Sequence, residues 1–178
     1  MSERPWMQRP DSGEYGEYFG RYVGVVPDGD IIETLAREGA RAVELFDGLT
    51  HDQSSATYAP GKWSVREAVA HVSDAERVFT YRALRFARAD STPLASFDQE
   101  AWAPFTNAAQ REWGDVVGEF RALRTATIHL FRSFAPEAWT RSGVASGHPV
   151  SARALAWITA GHELHHRRIL RERYGLFG

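Results

Sequence analysis

Apolar residues recur every three or four positions in four long segments of the chain, as they do along the buried face of an α-helix. These segments run from about residue 30 to 48, 64 to 88, 107 to 136 and 151 to 175. No segment has the residue alternation expected of a credible strand. The pattern therefore predicts an all-α protein whose four amphipathic helices pack as a four-helix bundle.

Side chains able to cap a helix N-terminus stand at the start of each segment. Ser64 is followed three positions later by Glu67, which is the spacing of a capping box. The predicted caps of the other three helices are Asp30, Asn107 and Ser151.

The remaining stretches are rich in glycine, proline and aromatic residues. We predict that residues 1–29 form an irregular arm that packs its aromatic side chains on a surface, either of this chain or of a partner. Residues 30–178 would then form the bundle domain. Residues 90–109 are long and aromatic, which predicts a packed crossover between helices two and three. Residues 136–150 are predicted to be a loop.

Composition narrows the classes of function. The 178 residues include no cysteine and carry a formal net charge of -2. Disulfides, thiolate catalysis and cysteine-ligated zinc are therefore excluded, and the charge gives no bulk electrostatic reason to expect nucleic acid. No apolar run approaches the roughly 20 residues of a membrane span, and no signal peptide is evident. We expect a cytoplasmic protein that acts on a small molecule.

Histidines are the candidate metal ligands. Three of the seven lie between Gly161 and Ile169, on the fourth predicted helix. His162 and His166 are four residues apart and therefore lie on the same face of that helix. His71 lies beside the apolar stripe of the second helix, within reach of a neighbouring helix. Bundles build metal sites from inward side chains on facing helices, so we predict a site made by His71, His162 and His166.

Other interpretations of these histidines remain open. His162 and His166 lie near an arginine-rich helix end, so they could also be ordinary solvated side chains that bind no metal. We interpret His165 as a candidate acid/base residue or ring-orienting partner rather than a fourth ligand. Three histidines are treated as structural, although the last of them could reach the mouth of a site from the loop before the fourth helix: His51, His129 and His148.

The string from His162 to His166 also fits H-E-x-x-H, the signature of zinc proteases in which Glu163 would be the base. The extended form of that motif fails at Ile169, where glycine is needed, and little chain follows to supply a third ligand. Three imidazoles plus water would instead make a catalytic type of site. Zinc fits this ligand set best, and nickel, cobalt and iron also accept imidazole. Asp74 and Glu163 are candidates to orient the rings.

Four stretches of the chain resemble the DinB/YfiT-like family of bacterial proteins. They are Trp63–Glu67 leading to His71, Asp74–Arg77, Phe97–Trp102, and His162–Leu170. The resemblance implies an up-down-down-up bundle with a long crossover between helices two and three. It also implies a divalent metal ion held by the histidines at 71, 162 and 166, and a homodimer.

The resemblance implies one fold but several possible activities. Characterised members include thiol-dependent S-transferases and a mycothiol-dependent isomerase, and many others are described as metal-dependent hydrolases. Our first hypothesis is a metal-dependent enzyme that activates water for hydrolysis or a low-molecular-weight thiol for transfer. Because the chain has no cysteine, that thiol would come from a cosubstrate. The alternative is a non-catalytic, stress-related binding or scaffold bundle with a structural or vestigial metal site.

Overall fold

The computed structural model describes residues 4–177 and confirms the helical bundle. Its four long helices are α1 (Ile31–Asp47), α2 (Val65–Ala87), α3 (Trp113–Arg132) and α4 (Ala152–Tyr174). Short α-helices lie at Gly20–Val23, His51–Ser55 and Gln99–Trp102. Short 3₁₀ turns lie at Pro5–Met7, Ser12–Glu14, Glu17–Phe19, Ala103–Phe105, Ala108–Gln110 and Pro136–Ala138. No helix among the described residues is long and apolar enough to cross a membrane. The up-down-down-up order and the division into arm and bundle domain remain predictions.

Three of the four predicted caps are confirmed. Ser64 accepts a hydrogen bond from the backbone N–H of Glu67, and the caps of α1 and α4 make equivalent bonds. The prediction for Asn107 was wrong, because α3 begins only at Trp113. Asn107 has a left-handed backbone with φ of 54°, a conformation that asparagine tolerates, and its side chain makes no capping hydrogen bond. It precedes the short 3₁₀ turn Ala108–Gln110.

A β-hairpin occupies the stretch that was predicted to be a loop. Strand β1 (Ser142–Ala145) pairs antiparallel with β2 (His148–Ser151). The two turn residues, Ser146 and Gly147, have φ of 54° and 78°, as a two-residue hairpin turn requires. Strands of four residues are too short to show a clear alternation in sequence. The Leu94 N–H donates to the carbonyl of Val144, which attaches the crossover to the hairpin.

Helix α4 contains the longest uninterrupted run of buried residues in the part of the chain that the structure describes. All twelve residues from Ala152 to Glu163 are buried, although the sequence predicted only an amphipathic stripe. The N-terminal arm covers its remaining face with Tyr22, Val23 and Val26, all of which are buried. The arm therefore packs on its own chain.

Gly161 permits the closest approach of the arm to α4. A Cβ atom at this position would lie 2.0 Å from the carbonyl oxygen of Tyr22. The backbone of Tyr22 is in direct contact with the backbone of α4. A clash with an added Cβ atom could therefore not be relieved by a change of side-chain rotamer. The arm can follow this path only because residue 161 has no side chain.

An ion pair between Glu14 and Arg153 attaches the N-terminal part of the arm to α4. Glu14 accepts hydrogen bonds from Ser151 Oγ at 2.6 Å and from the guanidinium of Arg153. Burial alone would raise the pKa of Glu14, but the hydrogen bonds from Arg153, Ser151 and the Asp11 backbone outweigh it, so the pKa is lowered. The carboxylate therefore stabilises the arm in its ionised form.

We expect the Glu14→Gln protein to be less stable than wild type by about 2 kcal/mol at pH 7, the scale of hydrogen bonds to a charged group. Because folding lowers the pKa of Glu14, the wild-type advantage is complete above the unfolded value of 4.5 and is lost as the pH falls through the folded value. Urea unfolding at pH 7 and at pH 3 measures the difference. Glu17→Gln, an exposed change on the same arm, is the control. An equal loss for Glu14→Gln at both pH values would contradict the ionic interpretation.

Candidate metal centre

The side chains of His71, His162 and His166 converge between α2 and α4. The Nε2 atoms of His71 and His162 are 3.2 Å apart. One ring nitrogen from each of the three residues lies within 4.8 Å of the others. Two nitrogens bound to a tetrahedral zinc ion at about 2.1 Å would be about 3.4 Å apart, so the cluster has the dimensions of a metal site.

The local sequence explains this convergence. The capping box at Ser64 sets the start of α2 and places His71 two turns into the helix. The cap at Ser151 sets the start of α4, on which His162 and His166 stand one turn apart with ring centroids separated by 4.5 Å. The structure thus brings the three predicted ligands together.

Aromatic rings surround the imidazoles. The Trp63 ring lies 5.0 Å from that of His71. Tyr22 and Phe79 contact the His162 ring edge to face, at centroid distances of 5.2 and 5.6 Å. These contacts restrict the ring orientations and keep bulk water away from His162, which is 4% exposed.

The three imidazoles are neutral at physiological pH. Burial lowers the pKa of His71 to about 4 and that of His166, with a further contribution from His71 and His165, to about 3. Burial and the neighbouring histidines lower the pKa of His162 as well. A metal ion binds only the neutral imidazole, so the cluster presents three nitrogens in the form that ligation requires.

Glu163 faces away from the cluster. Its carboxylate oxygens lie 3.3 Å from Arg167 Nη1 and 3.7 Å from Arg124 Nη1. Burial raises the pKa of Glu163 to about 7, against the opposing effect of these two arginines. The side chain therefore belongs to a buried ion network, which argues against the protease interpretation. Asp74, the other candidate for orienting the rings, pairs with Arg77 at 3.3 Å.

His165 lies beside the cluster without joining it. Its ring is 5.4 Å from that of His166 and 5.3 Å from that of Tyr22. Its Nδ1 atom is 3.4 Å from Arg168 Nη2. A guanidinium group can only donate, so Nδ1 accepts and the neutral ring carries its proton on Nε2. Burial, with a further contribution from Arg168, lowers the pKa of His165.

The other three histidines lie outside the cluster. The Nδ1 atom of His51 is 2.9 Å from Arg66 Nη2, in the segment that precedes α2. His129 is exposed on α3, and His148 is exposed on β2 beside Gly16. That these three residues are structural stays a prediction, as does the possible reach of His148 to the mouth of a site.

Two cavities adjoin the histidines and share no lining residue. The first, which we name the aromatic cavity, has a volume of about 310 Å³ and includes His162 in its wall. The second has a volume of about 370 Å³ and includes His165 and His166. Sequence reasoning missed the residues that line the aromatic cavity from the arm and the middle of α2: Tyr18, Phe19, Tyr22, Phe79 and Arg82. Only the tyrosine-rich composition of the arm hinted at them.

The fold and the cluster together define a helical-bundle protein with a buried three-histidine centre suited to a divalent metal ion. The chain belongs to the DinB superfamily, whose sequence model matches residues 34–170. This match confirms the family resemblance seen in the sequence.

Individual relatives support the same assignment. A protein of Oceanobacillus iheyensis named "putative metal-dependent hydrolase" is 37% identical over 70 residues, which span 38% of this chain and 40% of that relative. YfiT from Bacillus subtilis, described as a "probable metal-dependent hydrolase with an unusual four-helix bundle topology", superposes with a TM-score of 0.67 at 18% identity, covering 95% of this chain and 94% of that one. The mycothiol-dependent maleylpyruvate isomerase superposes with a TM-score of 0.65 at 12% identity, covering 83% and 60%. At such low identity the two structures establish the fold alone.

Proposed function

We propose that this protein is a metal-dependent enzyme acting on a small molecule, with His71, His162 and His166 as the metal ligands. One observation carries the proposal: three neutral imidazole nitrogens lie within 4.8 Å of one another at the walls of two cavities. A purely structural site would be closed by protein ligands, whereas a catalytic site opens to a pocket. The names of two relatives as metal-dependent hydrolases also support it.

Zinc is our first choice of ion, with nickel, iron or cobalt as alternatives. When bound, such an ion acidifies a coordinated water or thiol and polarises a substrate carbonyl. The chain supplies the rest of the chemistry. Tyr22 and Phe79 exclude water from the His162 side, and the depressed pKa values keep the three ligands neutral. We propose His165, whose ring lies beside that of His166 in the wall of the second cavity, as the acid/base residue.

Transfer of a low-molecular-weight thiol to an electrophile is the second candidate reaction. The two separate cavities favour it, because a transfer between two molecules needs two binding spaces, whereas hydrolysis of one molecule needs a single space and water. The mycothiol-dependent relative supports the same interpretation. The thiol would come from a cosubstrate, since this chain has no cysteine.

The cellular setting also stays a proposal. We propose a cytoplasmic homodimer, and two aromatic side chains on the crossover are available to a second copy: Phe105 is 87% exposed and Trp102 is 44% exposed. A non-catalytic scaffold bundle is the competing function, and the following experiment separates it from an enzyme.

We expect the purified protein to hold one divalent ion per chain in elemental analysis, and to lose its activity on treatment with EDTA. Two substrate panels distinguish the reactions: p-nitrophenyl esters and amides without thiol, and low-molecular-weight thiols with chlorodinitrobenzene. Activity should return when zinc, nickel, cobalt or iron is added back. Protein that holds no ion would overturn the metal site. Protein that holds an ion, turns over neither panel and unfolds more readily without the ion would instead support the scaffold function.

A further inference from the structure

Arg82 is a buried cation in the wall of the aromatic cavity. Its side chain stands on α2, eleven residues after His71 and therefore on nearly the same face of that helix. The residue is only 2% exposed. Such a charge normally requires a partner, because removal from water is costly for an isolated ion.

The hydrogen bonds of Arg82 leave part of its guanidinium group unused. Nη2 donates to the carbonyl of Ala95 at 2.8 Å and to Ser146 Oγ at 3.0 Å. Within residues 4–177, no carboxylate lies within 4.0 Å of the guanidinium group, and Nε and Nη1 have no hydrogen-bond partner.

Other buried arginines are fully engaged. Arg124 pairs with Glu76 at 2.9 Å, and Arg153 pairs with Glu14. Arg66 has no carboxylate partner but bonds through three nitrogens, to Ser54, His51 and the Arg111 carbonyl. Among these four arginines, only Arg82 combines burial, missing countercharge and free donors. It is also the one whose side chain lines a cavity next to the histidine cluster.

The remainder of the cavity wall is mainly aromatic. Phe97 lies against Arg82, with 5.8 Å between the guanidinium carbon and the ring centroid. Asp98 also lines the cavity, but it is exposed, and its Oδ1 caps the short helix by accepting from the N–H groups of Glu100 and Ala101. The wall therefore offers apolar surface to the body of a ligand and an uncompensated cation with free N–H donors to an acid group.

We propose that the aromatic cavity binds substrates that carry a carboxylate on an aromatic or otherwise apolar body, and that Arg82 binds this carboxylate. A carboxylate supplies the countercharge that Arg82 lacks and accepts a charge-assisted hydrogen bond from a free N–H group, whereas a neutral amide carries no charge. The assignment rests on the proposed function, since it names the substrate class of that enzyme. His162 lines the same cavity, so the apolar body would extend from Arg82 toward the histidine cluster.

Binding of 3-phenylpropionate and of its neutral amide tests the assignment by isothermal titration calorimetry on the full chain. Because a metal ion could itself bind a carboxylate, both metal-free and zinc-loaded protein are titrated. Metal-free wild type should bind the acid at least about tenfold more tightly than the amide, within the range of charge-assisted hydrogen bonds. Arg82→Gln should remove this preference by weakening the binding of the acid more than that of the amide. Arg88→Gln, which removes an exposed arginine just after α2 and outside the cavity wall, should retain the preference.

Thermal unfolding and metal content of each variant accompany the titrations. If Arg82→Gln fails to fold, Arg82→Lys replaces it and should show a smaller but measurable loss of the preference, because lysine keeps the charge without the planar fork. Equal affinity of metal-free wild type for acid and amide would overturn the proposal, as would a preference that survives in Arg82→Gln. A preference seen only with zinc would assign the carboxylate to the metal instead. Binding to the metal-free protein is measured without any turnover. A negative result there would therefore contradict the Arg82 assignment without contradicting the proposed enzyme.

Discussion

Replacing His71 by alanine is expected to abolish stoichiometric metal binding while the bundle remains folded. The two remaining imidazoles both stand on α4, and α2 offers no other histidine. We expect the affinity for zinc to fall by more than about 100-fold, because even partners that only orient a ligand contribute about 10- to 100-fold. Activity in either substrate panel should fall to background for the same reason.

Elemental analysis after dialysis, together with competitive zinc titration, measures this loss. His129→Ala is the matched control, since it removes an exposed histidine from α3 and should bind one ion as wild type does. Retention of one ion per chain by His71→Ala would contradict the assignment of the ligands. Loss of the ion with unchanged turnover would contradict the metal-dependent enzyme. Loss of the ion with a much lower unfolding temperature would favour a structural role.

Gly161→Ala is expected to have the largest effect on the fold. The new Cβ would lie 2.0 Å from the Tyr22 carbonyl oxygen and 2.5 Å from its carbonyl carbon, so the backbone of the arm must move. We expect a loss of about 3 kcal/mol in the free energy of unfolding, the upper end of the usual cost of overpacking. The arm should also separate from α4 and become sensitive to proteases.

Chemical denaturation and limited proteolysis read out these two effects. Gly118→Ala makes the same change in the interior of α3, where an added Cβ would have no atom within 4 Å. Because alanine is the better helix former, that control should be more stable than wild type by up to about 1 kcal/mol. If Gly161→Ala matched the control in stability and protease resistance, the close approach of the arm would not constrain the fold.

Local signals explain why the helices and the histidine cluster could be predicted. Ser64 and Ser151 mark helix starts through bonds to residues three positions away, and His162 and His166 share a face because of helical periodicity alone. The position of His71 beside them follows once α2 and α4 pack together. Each of these inferences needs only the helix geometry and one tertiary contact.

The buried charges could not be predicted in this way. Arg124 reads as an ordinary polar position on α3, and its partner Glu76 lies 48 residues away. Arg82 carries no local signal either, since its hydrogen-bond partners belong to the crossover and the hairpin. In the sequence, Gly161 indicates only a position of low helix propensity. The reason for it appears in the structure, where the Tyr22 backbone lies against it. In each case the decisive contact joins segments whose relative positions depend on the folded bundle.

The contact between the N-terminal arm and α4 has a consequence for biosynthesis. The arm leaves the ribosome before the four long helices, and the helix that it covers is the last of the four to leave. Until then Tyr22 and Val23 have no docking surface, although the earlier helices can already begin to associate. His162 and His166 reach His71 at this same late stage. The metal-binding face is therefore completed only on chains whose bundle has been fully translated, so nascent chains and prematurely terminated products lack it.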